Sequence, residues 1–150
     1  MILPNFNDFP RMGRIIGIDW GVRRTGVAVS DVSREFVFVR PAILSGRGAQ
    51  SIARQIADLA RVENAVGIVF GLPLHADGSS SDTTDAVRAC AAELDTYVDL
   101  PIAFIDETLT SRAAQDDMGR VRVADIKRGL DSQSARVILE NAIAVMRRLK

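Results

Sequence analysis

Ala65 to Leu74 is an apolar run of ten residues, broken only by two glycines and a proline. Its first part, Ala65 to Gly71, is continuously apolar and bounded by turn residues, the pattern of a strand covered on both faces. A strand with no solvent face belongs inside a sheet, packed between layers. The run is too short to cross a bilayer.

The flanking segments fill in the layers. Residues 14–20, Arg-Ile-Ile-Gly-Ile-Asp-Trp, read as a short buried strand ending in an acid. Gly21 to Gly26 makes a turn with Arg23 and Arg24 at its tip, Thr25 to Ser30 a second strand, and Glu35 to Arg40 a third. Short turns between them predict an antiparallel meander. After Pro41 the period changes: Ile52, Ile56, Leu59 and Ala60 share a helical face within Gln50 to Val62, and Val87, Cys90, Ala91, Leu94 and Val98 do so within Asp82 to Val98. Pro101 to Ile105 is another buried strand. A short helix is expected from Thr110 or Ser111 to about Met118. Gly119 to Gly129 is basic and aperiodic, so a mobile loop is expected there. Asp131 to Leu149 forms the last helix, with Ala135, Ile138 and Ala142 on its stripe. The order predicts an α/β domain over residues 14–150, with a five-stranded mixed sheet: three antiparallel strands lead into two parallel crossovers. Residues 1–13, with Pro4, Pro10 and Gly13, form an amino-terminal tail.

The acids fall where chemistry gathers. Asp19 ends the first strand, and Asp106 and Glu107 end the fifth; in open α/β sheets, sites collect at the carboxyl ends of parallel strands. Alternation puts Ile16, Ile18 and Trp20 on one face and Ile15, Gly17 and Asp19 on the other. An acid on that path is costly unless positive charge or backbone donors accompany it. Asp131 falls on the stripe of the last helix, where it also reads as an N-cap. Three carboxylates brought together would repel one another without divalent metal between them. All-oxygen ligation suits Mg²⁺ or Mn²⁺. Two such ions about 4 Å apart clamp the attacking and leaving oxygens of a phosphodiester.

The single cysteine, Cys90, and the single histidine, His75, exclude an internal disulfide and the common zinc motifs. Cys90 reads as a core residue. With no signal-peptide pattern, a soluble cytoplasmic protein with no membrane partner is expected. Net charge is zero, but residues 119–150 carry about +5 and the rest about −5. Such asymmetry provides a basic surface for phosphate.

Four segments carry a resemblance: Ile-Gly-Ile-Asp-Trp-Gly-Val-Arg-Arg-Thr-Gly-Val-Ala-Val-Ser-Asp (16–31), Gly-Leu-Pro-Leu-His-Ala-Asp-Gly-Ser (71–79), Asp-Glu-Thr-Leu-Thr-Ser (106–111) and Asp-Ser-Gln-Ser-Ala (131–135). In order and spacing they resemble the motifs of the YqgF/RuvX family, from about Arg14 to Leu149. The resemblance implies the ribonuclease H-like fold and a nuclease that matures the 5′ end of pre-16S ribosomal RNA, with Holliday junction resolution in some members. The family's acids fall on Asp19, Glu107 and Asp131, implied as both catalytic and metal-binding, with Asp106 the alternative for the second. Arg23, Arg24 and Ser79 are the implied substrate contacts. Implied partners are pre-rRNA, branched DNA or both, and a homodimer stays open. Departures from the family pattern are Thr108 in place of an arginine, His75 for asparagine, Ser134 for alanine, and a bulky Trp20. Two other readings compete. An actin-type ATPase needs two such domains, which this length does not supply. A nucleic-acid-binding module on a nuclease fold, without catalysis, stays open.

Overall fold

The computed structural model describes residues 1–21, 23–44, 48–72, 82–106 and 123–149, with residues 82 and 123–132 described by backbone alone. Strands β1 (Ile15–Asp19), β2 (Arg24–Ser30) and β3 (Val37–Leu44) are followed by α1 (Ala49–Glu63), β4 (Gly67–Leu72), α2 (Asp82–Asp95), β5 (Ile102–Asp106) and α3 (Val123–Arg148). They build one mixed sheet in the order β3-β2-β1-β4-β5. The first three strands pair antiparallel, and β1, β4 and β5 pair parallel. This is the predicted topology. It follows from short turns joining the first three strands, whereas the parallel strands are joined by helical crossovers.

Each face of the sheet has its own core. On one side Ile16 and Ile18 of β1, with Ile68, Phe70 and Ile102, pack under α1 and α2 through Ile52, Ile56, Val87, Cys90 and Leu94. On the other, Ile15, Ala28, Val69 and Ala103 pack under α3 through Ala135, Ile138, Leu139 and Ala142. Every residue of β4 is buried, as its unbroken apolar run requires. Segment 1–13 packs onto the α3 side: Leu3, Phe6 and Phe9 are buried, and Ile2 bridges to Ile102 beside β5. Cys90 is buried in the core, and desolvation pushes its thiol pKa up to about 12, so it stays a protonated apolar filler.

Two boundaries differ most from expectation. Strand β3 runs past Arg40 through Pro41 to Leu44. It is an edge strand, where a residue without an N–H costs no ladder bond on the outer side. Helix α3 starts at Val123, not at Asp131, so residues 123–129 of the expected loop are helical and Asp131 lies inside the helix instead of capping it. Thr110 to Met118, the expected short helix, lies outside the described residues.

Candidate active site at the carboxyl edge of the parallel strands

The register places the ends of three strands at one edge. Ile18 pairs with Phe70 and Phe70 with Phe104, so β1, β4 and β5 terminate together at Asp19, Leu72 and Asp106. Asp19 is half-buried on the Ile15–Gly17 side, the face under α3. Asp106 shares its side of β5 with Ile102 and Phe104, which belong to the opposite core, and is exposed. The two aspartates therefore sit on opposite faces, as alternation predicts.

Helix α3 runs antiparallel to β1. Met146, near its end, meets Arg34, whose guanidinium also holds the Gly13 carbonyl just before β1. Ala135 and Leu139 lie against Gly17. One further helical turn, about 6 Å, leads to position 131, and two further residues of β1, about 7 Å, lead to Asp19. The backbone at Asp131 thus arrives at the edge that Asp19 ends. The side chain of Asp131, and Glu107, Thr108, His75 and Ser79, lie outside the described residues.

Past Asp19 the chain turns sharply. A Cβ on Gly21 would stand 2.3 Å from the Arg24 carbonyl oxygen, so only glycine fits there. The turn leaves Arg23 and Arg24 exposed beside Asp19, with Arg24 opening β2. Trp20 packs against the α1–α2 core, and its buried indole N–H meets no acceptor among the described residues. A residue that the sequence reading missed also reaches this edge: Arg88 of α2, exposed, lines a cleft of about 500 Å³ with Leu72, Phe104 and Asp106. An isolated arginine on a helix carries no sequence signal. It becomes a candidate only because α2 packs over the end of β4.

The basic segment is partly placed as well. Positions 127 and 128 belong to the first turns of α3, beyond 131 and so beyond the edge. Arg120 and Arg122 lie outside the described residues.

A family model described as RuvX: Holliday junction resolvase matches residues 13–144. The chain belongs to the RuvX family. A relative from Maridesulfovibrio salexigens, named "Putative pre-16S rRNA nuclease", is 38% identical over 133 residues, covering 87% of this chain and 98% of its own. One of the same name from Acidiphilium cryptum is 34% identical, covering 97% and 96%. Among solved structures, Thermus thermophilus RuvC in complex with Holliday junction substrate matches with a TM-score of 0.57 at 10% identity, covering 90% of this chain and 96% of that one. The yeast mitochondrial Holliday junction resolvase Ydc2 matches with a TM-score of 0.53, also at 10% identity, covering 93% and 80%. At such low identity these likenesses speak for the fold, which is the ribonuclease H-like one expected of this RuvX chain. No described helix is long and apolar enough to cross a membrane.

Proposed function

We propose that this RuvX protein cuts nucleic acid with Mg²⁺ or Mn²⁺ held by Asp19, Glu107 and Asp131, and that its substrate is the precursor of 16S ribosomal RNA, processed at the 5′ end in the cytoplasm. Membership of this family makes the chain a hydrolase of phosphodiester bonds. The observation that carries the site is the convergence at one sheet edge of Asp19 and the backbone at 131, on a single face. Asp106 stands on the other face. Neighbours along a strand alternate in side, so the placing of Asp106 on the other face favours its neighbour Glu107 as the third carboxylate.

The donor set fits a hard divalent cation. It is all carboxylate oxygen, and the half-buried Asp19 at the edge of a packed core is where an anionic ligand gains from a cation. With such a cation bound, Asp19, Glu107 and Asp131 would hold it and it would supply positive charge to the reacting phosphodiester. The protein's own contribution is positioning. The packed β1–α3 face fixes Asp19 and the backbone at 131, while Arg23, Arg24 and Arg88, around the edge, offer charge to the backbone phosphates of the substrate. Ser79, in the segment after β4, completes the proposed substrate contacts.

The relatives are named for an rRNA nuclease and the family model for a junction resolvase, so the test presents both substrates. Pure protein is given pre-16S RNA and four-way DNA junctions with Mg²⁺, with Mn²⁺ or with chelator. Metal-dependent cutting of the RNA supports the proposal in full. Cutting of the junction alone overturns the substrate, and binding without cutting of either would make the chain a binding module.

A further inference from the structure

Three arginines converge at the end of the sheet away from Asp19. Arg34 sits in the turn between β2 and β3 with a left-handed backbone (φ 61°) and is only 6% exposed. Its Nε donates to the Gly13 carbonyl at 2.8 Å, its Nη2 to the Met12 carbonyl at 3.2 Å, and its Nη1 to the Met146 Sδ at 3.6 Å. All of these partners are neutral, and Arg34 has no carboxylate partner among the described residues. A guanidinium carries five N–H groups, so two remain beyond the three used here. Burying a charge without a counterion is costly, and desolvation lowers the Arg34 pKa from its ordinary value.

Arg34 forms one wall of a pocket of about 190 Å³ whose other polar residues are Arg11, Ser33 and Arg147, over a floor including Ile143 and Met146. Arg11 spends one N–H on the Leu149 carbonyl, and Arg147 spends one on the Arg34 carbonyl. Among the described residues, no acid lines the pocket. The carboxylates of the region are engaged or lie elsewhere. Asp31 accepts from the Ser33 hydroxyl and the Phe36 N–H within its own turn. Glu140 pairs with Arg136, and with Glu35 it lines a separate cleft shared with Arg34 and Arg147.

We propose that this pocket is a binding site for a phosphate group, held by the guanidinium groups of Arg11, Arg34 and Arg147. Guanidinium forks match the spacing of phosphate oxygens, and a dianion or a diester would meet three cationic side chains with no acid among the described lining residues. The volume is ample for one phosphate group. The site is distinct from the proposed catalytic edge, at the opposite end of β1, and does not rest on the nuclease reading. The same chemistry comes from two sources: free inorganic phosphate, or a backbone phosphate of nucleic acid bound across the α3 face.

The test uses protein in chelator, so that no catalytic metal can hold phosphate. Calorimetric titration with inorganic phosphate, at ionic strength fixed with chloride, should show saturable binding. Arg11→Gln combined with Arg147→Gln should weaken it at least about tenfold, the scale of lost charge-assisted bonds. Both side chains belong to exposed residues, so folding should persist by circular dichroism. Arg34→Lys, which keeps the charge and loses the fork, should weaken binding too. A second arm measures single-stranded RNA binding in chelator. Loss there as well assigns the pocket to a backbone phosphate; loss of inorganic phosphate alone assigns it to the free ion. No saturable phosphate binding by the wild type, or equal binding by the double variant, overturns the site.

Discussion

Gly17 of β1 lies so close to Leu139 of α3 that a Cβ built on the glycine would stand 2.8 Å from the leucine Cβ and 3.0 Å from the Ala135 carbonyl oxygen. Neither atom is the flexible end of a side chain, so only movement of the helix could make room. This close approach seats α3 on the sheet. Its direction carries the backbone at 131 to the end of β1.

Gly17→Ala should therefore destabilise the fold by about 1–3 kcal/mol, the usual cost of overpacking a core. It should also lower cleavage more than the stability loss explains, because it shifts the helix that carries the proposed ligand Asp131. Urea unfolding and cleavage rates of the same preparation check both. Unchanged stability would mean that the helix docks less tightly than these distances state.

Asp19→Asn and Glu107→Gln should each lower the cleavage rate about 10²-fold or more, with far-ultraviolet circular dichroism unchanged. Asp106→Asn should have a smaller effect, since Asp106 lies on the opposite face of the sheet. A loss in Asp106→Asn equal to that in Asp19→Asn, with Glu107→Gln still active, would reverse the choice between the neighbours.

The sequence was most legible where one physical demand acted alone. The unbroken apolar run of β4 and the alternation in β1 announced a covered sheet, and both are buried as expected. The position of Asp19 at a strand end was readable for the same reason. The start of α3 was not. With 26 residues this helix is far longer than the five-residue β1 beside it, so the backbone of its first turns passes beyond the end of that strand. Gly119 to Gly129 is instead dense in basic residues and closed by a glycine at each end, which reads as a loop although residues 123–129 are helical. Asp131, followed by Ser-Gln-Ser, imitates a cap for the same local reasons. Arg34 escaped as well: in sequence it is one arginine in a turn, and only the packing of Gly13 and Met146 around it makes it a buried charge.

Reversing the charge of Arg120, Arg122, Lys127 and Arg128 together should weaken nucleic-acid binding across sequences and flatten its dependence on salt. Every phosphate that these side chains no longer neutralise takes about 0.7 off the logarithmic salt slope for a single strand. Positions 127 and 128 lie in the turns of α3 beyond the proposed catalytic edge, on the path proposed for a bound strand. An unchanged slope would assign binding to Arg23, Arg24 and Arg88 instead.

Glu63 at the end of α1 accepts from Arg40 at 2.9 Å and from Arg14 at 3.2 Å, tying the helix to β3 and to the start of β1. Hydrogen bonding from Arg40 is the main reason its carboxyl pKa falls below the usual 4.5, with Arg14 adding to it. A depressed folded value stabilises the fold above the unfolded pKa, and that contribution fades as pH drops through the lower folded value. Glu63→Gln should thus cost about 1 kcal/mol near neutrality, and the gap from wild type should narrow below pH 4.5. Urea unfolding of both proteins from pH 3 to pH 7 reads this directly (about the range over which acid-labile carboxylate contributions change).

A cluster of catalytic acids and three unrelated structural acids differ in a way that needs no substrate. If Asp19, Glu107 and Asp131 share one metal site, their charges repel in metal-free protein, and Asp19→Asn relieves that repulsion. The variant should then be as stable as wild type in chelator, or more so. A purely structural aspartate behaves in the opposite sense, since its loss leaves donors unpaired and costs about 1–3 kcal/mol. Metal adds the second half of the comparison: Mg²⁺ or Mn²⁺ binds only the folded site, so it should raise the stability of wild type by mass action and do less for the variant. Thermal unfolding of both proteins, with chelator and with each metal, gives the two readouts together. An Asp19→Asn protein clearly weaker than wild type in chelator, with the same response to metal, would leave Asp19 as a structural residue and the three carboxylates as separate parts of the fold.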